Sequence, residues 1–476
     1  MDSDRALVQV KVSGLLGRFT HTVDFPASDE FVIVHGPNGV GKTMLLDLVS
    51  AIAWPVDLGT LARVPFETLR LQFDNGSVLT IDKNAPRDAA ESEPRHAPAV
   101  GSDLLALSRL LFCLEPATGE EAVKWAPWPL SEDAGGPSET TRPLSRQLTA
   151  RLRRDLAPGG MSFTHRQLRD YLAHRPSADD SMLFEALANW DDVPGPLRDT
   201  LTDRLPPELR HVLTGLVVHS IDTHRLLGLS ATEDRRNQNR PRPILTKVEE
   251  FANDLAHRLA KELAENSRRS QELDRTYPQR LLENPAADVS EQDIRDRYDA
   301  QNDLRRQLGD ISLVDERTSV IEIPQRMQDW QRAVLWTYLG DTEAKLATFR
   351  DILDRVSMLR EIVNRRFLFK HLEIDRERGF RLVDDDGRDL DLASLSSGEQ
   401  HELVLAYDLL FNVPSGALVL IDEPEISLHV SWQKGFIDDL RAIASLVRFR
   451  TIVATHSPQI AGKWADRMVV LGPAAE

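Results

Sequence analysis

The chain has 476 residues, of which 28% are charged and 41% hydrophobic, and its formal net charge is -17. This length suits two or three domains, or one domain with a large insertion, and the acidic balance disfavours nucleic-acid binding except at a local basic patch. A single cysteine, Cys113, excludes an internal disulfide and fits a reducing compartment. No apolar run reaches membrane-spanning length and the acidic start is unlike a signal peptide, so we expect a cytoplasmic protein without a membrane partner.

Alternating apolar and polar residues predict strands on both sides of a glycine-rich loop near the N-terminus. Residues 7–34 predict two or three strands, with turns at Gly14 and Gly17. Residues 68–82 predict a hairpin, because an Asn-Gly pair separates two alternating runs.

The glycine-rich loop fits the pattern G-x-x-x-x-G-K-[ST] and lies between an apolar strand and an apolar helix. Glycines let successive backbone N–H groups point at phosphate oxygens, and the positive end of the helix faces the same anion. Lys42 can reach the β- and γ-phosphates, and Thr43 can ligate Mg²⁺. We therefore predict a nucleotide-binding loop made of Gly36, Pro37, Asn38, Gly39, Val40, Gly41, Lys42 and Thr43.

Two residues upstream of this loop have two interpretations each. Phe19 can stack on an adenine base and Arg18 can contact phosphate. Alternatively, Phe19 is an edge aromatic and Arg18 a solvated side chain, and the sequence leaves both interpretations open.

The middle of the chain, from about residue 144 to 370, has mainly helical periodicity. Proline-containing breaks at Pro241-Arg242-Pro243 and Tyr277-Pro278 are expected to separate helices. Residues 371–395 return to strand-like alternation with an acidic turn before Gly387, and residues from 403 onward alternate helices and strands, as in a parallel α/β sheet. The candidate helices are 144–155, 165–173, 180–190, 196–204, 246–273, 291–308, 325–338 and 342–366.

Two arginine-rich segments are the candidate contacts to DNA. Residues 235–242 contain four arginines and no acidic residue, and a second cluster lies between Arg142 and Arg154. Such segments can contact the phosphodiester backbone, although most charge runs are solvated faces of a protein.

A second anion site is predicted where Leu395-Ser396-Ser397-Gly398-Glu399-Gln400 opens an apolar helix. Ser397 and the N–H of Gly398 lie at the start of that helix, where backbone donors and the helix dipole favour a phosphate.

Two apolar strands near the C-terminus end in residues suited to phosphoryl chemistry. The apolar run 417–421 is followed by Asp422 and Glu423. Asp422 can hold Mg²⁺, and Glu423 can polarise a water for attack on a γ-phosphate. The run 452–455 ends at His456, which can donate to the same phosphate.

The order of these motifs resembles that of ABC-class P-loop ATPases of the SMC, RecF and OLD group. The resemblance implies an α/β fold, a P-loop NTPase of the ABC head type with a large, mainly helical insertion. Its domains would be 1–90 (N-terminal lobe), 91–370 (insertion) and 371–476 (C-terminal lobe). The run from Leu395 to Ser457 is most similar to standalone anti-phage ATPases of Septu, retron-associated and PARIS systems, which work beside a separately encoded nuclease or toxin.

The resemblance also implies roles and partners for the predicted residues. The loop Gly36–Thr43 would bind ATP, with Thr43 and Asp422 holding Mg²⁺, Glu423 as catalytic base and His456 as a switch. Ser397 and Gly398 would contact the γ-phosphate bound by another protomer. This arrangement implies a homodimer or higher homo-oligomer with ATP at the interface.

Two positions depart from the family pattern. SMC-type chains usually carry Asp where this chain has His429, which favours the OLD and RecF side of the group. The glutamine of the Q-loop has no clear counterpart: Gln72 lies in the predicted hairpin, and His224 would replace it in the run Val217–Leu226.

Three functions are compatible with this resemblance. The first is an ATP-dependent sensor or scaffold in phage defence, which controls a separate effector. The second is a RecF- or SMC-like ATPase acting on DNA, and the third, a transporter subunit, is disfavoured by the long insertion. The remaining Asp, Glu and His residues form no recognisable metal-ligand pattern, so we predict no intrinsic nuclease.

Overall fold

The structure is a computed structural model, and it describes residues 6–25, 31–83, 110–117, 119–126, 205–222, 246–283, 289–314, 323–324, 326–426 and 428–472. The four candidate helices between 144 and 204, both arginine-rich segments and His224 lie outside these residues.

The described residues alternate strands and helices at both ends of the chain. The strands are β1 (Leu7–Leu15), β2 (Phe19–Asp24), β3 (Phe31–His35), β4 (Thr68–Phe73), β5 (Val78–Asp82), β6 (Leu111–Glu115), β7 (Val123–Trp125), β8 (Val218–Asp222), β9 (Lys370–Asp375), β10 (Gly379–Asp384), β11 (Asp389–Leu390), β12 (Leu418–Asp422), β13 (Arg450–Thr455) and β14 (Met468–Val470). The helices are α1 (Lys42–Ile52), α2 (Leu58–Arg63), α3 (Pro207–Gly215), α4 (Lys247–Glu283), α5 (Glu291–Gly309), α6 (Asp329–Leu346), α7 (Arg350–Arg366), α8 (Ser397–Phe411), α9 (Val430–Gln433), α10 (Phe436–Val447) and α11 (Pro458–Ala461).

The chain forms two compact units, each built from separate stretches of sequence. The first unit comprises Met1–Ile221, Pro414–Pro424 and Arg448–Glu476. The second comprises Asp222–Val413 and Glu425–Val447.

The first unit contains two sheets. A six-stranded antiparallel sheet has the order β2-β1-β4-β5-β6-β7, and a five-stranded sheet has the order β14-β3-β13-β12-β8. In the second sheet, β12, β13, β3 and β14 run parallel to one another. The strand β3 is buried along almost its whole length, as expected for a parallel strand covered on both faces.

One hydrophobic core joins these two sheets to the helix that follows the glycine-rich loop. The apolar side of α1 contributes Leu45, Leu48 and Ile52, each at most 1% exposed. The same core takes in side chains of β1, β4, β12 and β13. This packing fixes the start of α1 against the edge of the parallel sheet.

The second unit is mainly helical and carries one small sheet. The strands have the order β11-β10-β9, and α4 packs on β10 while α7 packs on β9. The turn between β10 and β11 is the predicted acidic turn: Asp384 accepts hydrogen bonds from the backbone N–H groups of Asp386 and Arg388.

The predicted turn at Gly14 and Gly17 is present, because the N–H of Gly17 donates to the carbonyl of Gly14 at 2.9 Å. Gly14 lies near the end of β1 with a φ of 65°, where a Cβ would collide with the Glu67 side chain.

One local prediction was wrong. The helix α4 continues through Pro278 to Glu283, ten residues beyond the predicted end. Side-chain donors reach the preceding turn, since Thr276 bonds the carbonyl of Glu272 (3.0 Å) and Arg280 bonds that of Leu273 (2.6 Å).

The predicted domain boundaries do not coincide with the two compact units. The first unit extends past residue 90 because β6 and β7 add to its antiparallel sheet and β8 lies beside β12. The predicted C-terminal lobe divides, since residues 414–424 and 448–476 belong to the first unit and 425–447 to the second. Among the described helices, none is both long enough and apolar enough to cross a bilayer.

Candidate nucleotide-binding site

The carboxyl ends of three parallel strands meet at one edge of the five-stranded sheet. Asp422 pairs with Ala454, Ala454 pairs with Val34, and Thr455 pairs with His35. Ligands of open α/β sheets bind at this edge. The glycine-rich loop, Glu423 and His456 each follow directly after one of these strand ends.

The glycine-rich loop has the backbone conformation that its sequence predicts. Gly39 and Gly41 have φ values of 85° and 91°, a region that L side chains rarely adopt. A Cβ on Gly41 would lie 2.6 Å from Leu15 Cδ2, and a Cβ on Gly36 would lie 2.5 Å from the carbonyl oxygen of Leu471. These glycines therefore let the loop curl closely against neighbouring backbone and side chains.

Lys42 points back into the loop from the first residue of α1. Its side chain is 5% exposed, and Nζ donates to the carbonyl oxygens of Gly36 (2.9 Å) and Pro37 (3.3 Å). The loop residues Pro37, Asn38 and Gly39 are exposed. A buried cation thus lies beneath an accessible loop, at the N-terminus of a helix where anions bind favourably.

Thr43 and Asp422 come together from the two ends of the chain. Thr43 Oγ1 donates to Asp422 Oδ2 at 2.7 Å. A hydroxyl and a carboxylate are the hard oxygen ligands that Mg²⁺ prefers, usually with water and substrate phosphates completing the octahedron. Within the described ranges, no group of three or more His, Cys, Asp or Glu side chains could hold a metal ion. The two oxygens of Thr43 and Asp422 fit a Mg²⁺ ion whose remaining ligands are water and phosphate.

Glu423 has a strained backbone, with a φ of 45°. Its N–H donates to the carbonyl of Ala454 at 2.8 Å, which fixes the residue beside the neighbouring strand. Its Oε1 lies 3.7 Å from His456 Nδ1, and the two side chains are 23% and 43% exposed. Backbone strain of this kind concentrates at functional sites, and here it places a carboxylate and an imidazole side by side.

Ser397 and Gly398 lie in the first turn of α8, in the second unit. Ser396 forms the helix cap: its side chain accepts a hydrogen bond from Glu399 N–H, and the Glu399 carboxylate accepts one from Ser396 N–H. Lys370 Nζ lies 2.9 Å from Glu399 Oε2. Burial alone would raise the pKa of Glu399, but hydrogen bonds from Lys370 and Ser396 outweigh it and hold the pKa below its ordinary value. The Ser397 residue itself is exposed.

The structure also places residues whose roles the sequence left open. Phe19 is 7% exposed and is covered by the Arg18 guanidinium at 4.7 Å, so its ring is packed within the protein. Gln72 lies within β4, paired with Gln9 and Val78. His429 caps α9 by accepting a hydrogen bond from Ser431 N–H.

One residue near the loop was not recognised from the sequence. His21 is 3% exposed, and its Nε2 lies 2.8 Å from the carbonyl oxygen of Val40. The available signal was the alternation Phe19, His21, Val23, which places the histidine on the buried face of β2. Its bond to the loop depends on tertiary structure that this alternation does not specify.

Comparison with known families supports this description. A family model described as "AAA domain, putative AbiEii toxin, Type IV TA system" matches residues 235–461, just under half of the chain. The match includes the start of α8, Asp422, Glu423 and His456, whereas the glycine-rich loop lies outside it. Together, this match and the geometry of the sheet and loop confirm the predicted fold class, a mixed α/β P-loop NTPase with a large helical component.

One sequence relative matches a short part of the chain, and two solved structures align with most of it at low similarity. "Retron Ec83 probable ATPase" from Escherichia coli is 35% identical over 103 residues, a match that spans only 19% of this chain and 19% of that protein. Among solved structures, the Smc head domain with an extended coiled coil bound to the C-terminal domain of ScpA, from Pyrococcus furiosus, has a TM-score of 0.31 and 13% identity, covering 96% of this chain and 90% of that one. The SmcHead bound to the C-winged helix domain of ScpA has a TM-score of 0.32 and 10% identity, covering 95% and 90%.

Proposed function

We propose that this protein is an ABC-class ATPase that binds and hydrolyses ATP with Mg²⁺. The observation that carries the proposal is the hydrogen bond between Thr43 and Asp422, residues 379 positions apart in sequence. It joins the end of β12 to the start of α1, so that the phosphate-binding loop and the acidic strand end form one site.

The loop supplies the phosphate-binding groups. Lys42 exchanges its bonds to Gly36 and Pro37 carbonyls for phosphate oxygens, and the first N–H groups of α1 add donors at the same place. Charge-assisted hydrogen bonds of this type are the stronger ones in proteins. Thr43 Oγ1 and Asp422 would hold Mg²⁺, which would supply positive charge beside the phosphates.

Hydrolysis requires a group that orients and deprotonates water. Glu423 is the candidate because its carboxylate is partly exposed at the strand end, next to the loop that binds phosphate. As water attacks the γ-phosphorus, the carboxylate accepts a proton from it and the bond to the ADP oxygen breaks. His456, beside Glu423, donates a hydrogen bond to the γ-phosphate.

The start of α8 supplies the remaining anion site of the proposal. Ser397 is exposed in the first helical turn and Gly398 follows it, so both can contact the γ-phosphate on a second copy of the chain. ATP would then lie between two protomers, with each loop facing the α8 start of the other. ATP would be both the substrate and part of the interface.

We further propose that this ATPase serves a prokaryotic anti-phage system as a sensor or scaffold for a separately encoded nuclease or toxin. The names of the matching family and of the retron relative support this role. A DNA-acting ATPase is the alternative, and salt-sensitive binding of duplex DNA by the pure protein would favour it.

Phosphate release from ATP by purified protein tests the enzymatic proposal. Glu423→Gln should lower the hydrolysis rate by about 100- to 10,000-fold, the usual contribution of general-base catalysis, while ATP still binds. Glu377→Gln makes the same charge change in an exposed turn and should leave the rate unchanged. If Glu423→Gln hydrolysed ATP at the wild-type rate, Glu423 would not be the catalytic base.

A further inference from the structure

His21 connects the antiparallel sheet to the phosphate-binding loop. A carbonyl oxygen can only accept a hydrogen bond, so the 2.8 Å contact with Val40 requires that Nε2 of His21 carries a proton and donates. The side chain is almost completely buried, so loss of this hydrogen bond would leave a buried polar group unpaired and lower the free energy of unfolding.

The surroundings of His21 hold its ring in one orientation. The ring stacks on Phe19, with centroids 5.6 Å apart and planes inclined by 16°. Arg18 covers Phe19. The hairpin of β1 and β2 also contacts the next residue of the loop, because Leu15 packs where a Cβ on Gly41 would lie. Two successive loop residues are therefore braced by one hairpin.

The bond to Val40 fixes a peptide group that faces the phosphate site. In a planar trans peptide, the carbonyl of one residue and the N–H of the next point in opposite directions. Because the Val40 carbonyl points at His21, the Gly41 N–H points away from β2. Gly41 is the N-cap of α1, so this N–H belongs to the donors of the helix start that bind anions.

We propose that His21 is a positioning residue of the nucleotide site, which orients the Val40–Gly41 peptide so that the Gly41 N–H faces the bound phosphate. This inference rests on the proposed function, since it assumes that the loop binds ATP. His21 does not touch the nucleotide itself.

Two substitutions separate the hydrogen bond from the packing. His21→Phe keeps a flat ring against Phe19 but has no donor, whereas a Gln side chain places an amide N–H about where Nε2 lies. Titration of full-length protein with a fluorescent ATP analogue and Mg²⁺ should show about five- to tenfold weaker binding for His21→Phe, the loss expected for one hydrogen bond. Affinity in His21→Gln should be within about twofold of wild type, since the donor is restored.

Steady-state kinetics separate positioning from a general loss of structure. In His21→Phe, KM for ATP should rise while kcat stays within about twofold, because the bond acts on binding in the ground and transition states alike. Val23→Ala is the matched control: it removes packing from the same buried face of β2 and leaves His21 and its donor in place, so its ATP affinity should be that of wild type. His21→Leu is a second donor-free variant, to be used if His21→Phe does not fold.

The outcomes distinguish this inference from the proposed function. If wild-type protein binds no ATP, the proposed function fails. If wild type binds ATP and both donor-free variants bind it equally well, or if Val23→Ala weakens binding as much as they do, the role of His21 is overturned while the ATP site remains.

Discussion

Lys42 is the residue on which nucleotide affinity should depend most. It is buried under an exposed loop, and both of its hydrogen bonds go to loop carbonyls that phosphate oxygens can replace as acceptors. Lys42→Ala should weaken ATP binding by about 10- to 100-fold, the loss of a hydrogen bond to a charged group. Isothermal titration with ATP and Mg²⁺ measures this loss. Lys11→Ala, which removes an exposed lysine from β1, should bind like wild type, and equal affinity in both variants would contradict the assignment.

Gly41 should tolerate substitution less well than other glycines with the same backbone conformation. Alanine at Gly41 must adopt a φ of 91° and also displace Leu15, whereas Gly17 has a φ of 74° with nothing within 4 Å of an added Cβ. We expect Gly17→Ala to cost about 1–2 kcal/mol of unfolding free energy and Gly41→Ala about 1–3 kcal/mol more, from overpacking. Denaturant unfolding compares the two, and equal losses would show that Leu15 does not restrict the loop.

The sequence indicates the residues of the candidate phosphate site more readily than the residues that support them. The loop pattern is local, so Gly36 to Thr43 can be recognised without knowing the fold. The contact between Thr43 and Asp422 depends on the order of the strands in the parallel sheet. The alternation of helices and strands along the sequence only suggests that order. The bond from His21 to Val40 involves a carbonyl, which has no sequence signature.

At the scale of elements, a buried ionic cluster joins three helices of the second unit. Arg366 on α7 bonds both Glu402 on α8 and Asp439 on α10, and Arg365 adds a 3.0 Å bond to Asp439. Burial raises the pKa of Glu402 to about 7, and the nearby Asp439 carboxylate adds to the increase although Arg366 opposes it. Two carboxylates sharing one guanidinium thus favour proton uptake by Glu402.

This cluster should make the stability of the second unit depend on pH. Between the ordinary glutamate pKa of 4.5 and about 7, folded Glu402 keeps its proton while the unfolded side chain has lost it. The folded state binds more protons, so the unfolding free energy falls as pH rises through this window. Glu402→Gln cannot titrate and should lose that fall: its melting temperature should match wild type near pH 5 and exceed it by several degrees at pH 8, since the pKa change corresponds to roughly 3 kcal/mol and each 1 kcal/mol to about 2–4 °C. Identical pH profiles for the two proteins would contradict this account.

The helices and strands of the second unit were predicted with errors at their ends. The helix α5 agrees closely with the predicted 291–308, because Ser290 and Asp293 form a capping box that is visible in the sequence. The helix α4 runs past Pro278, whereas the proline rule predicted a break there, and the side chains of Thr276 and Arg280 bond carbonyls of the preceding turn. The positions of the helix ends depend on tertiary and side-chain contacts, which the hydrophobic periodicity of the sequence does not specify.

At the scale of the whole molecule, the two compact units are interleaved in sequence. The first unit takes strands from residues 7–35, 68–125, 218–222, 418–422 and 450–470. The fold class could be predicted, because motif order and the return to α/β periodicity are properties of the sequence. The boundaries of the two units could not be predicted in the same way, since β6, β7 and β8 join sheets through pairing with strands that are distant along the chain.

ATP-dependent association can be measured as the molar mass of purified Glu423→Gln protein, by light scattering with and without ATP and Mg²⁺. The variant keeps Lys42, Thr43 and Asp422 but lacks the proposed base, so it should hold ATP without consuming it. ATP and Mg²⁺ should raise the mass from that of one chain, 53.6 kDa, to at least twice that value, and adding Lys42→Ala should shift the increase to about 10- to 100-fold higher ATP concentration. A mass that does not change with ATP, whether of a monomer or of a fixed assembly, would contradict ATP-dependent association.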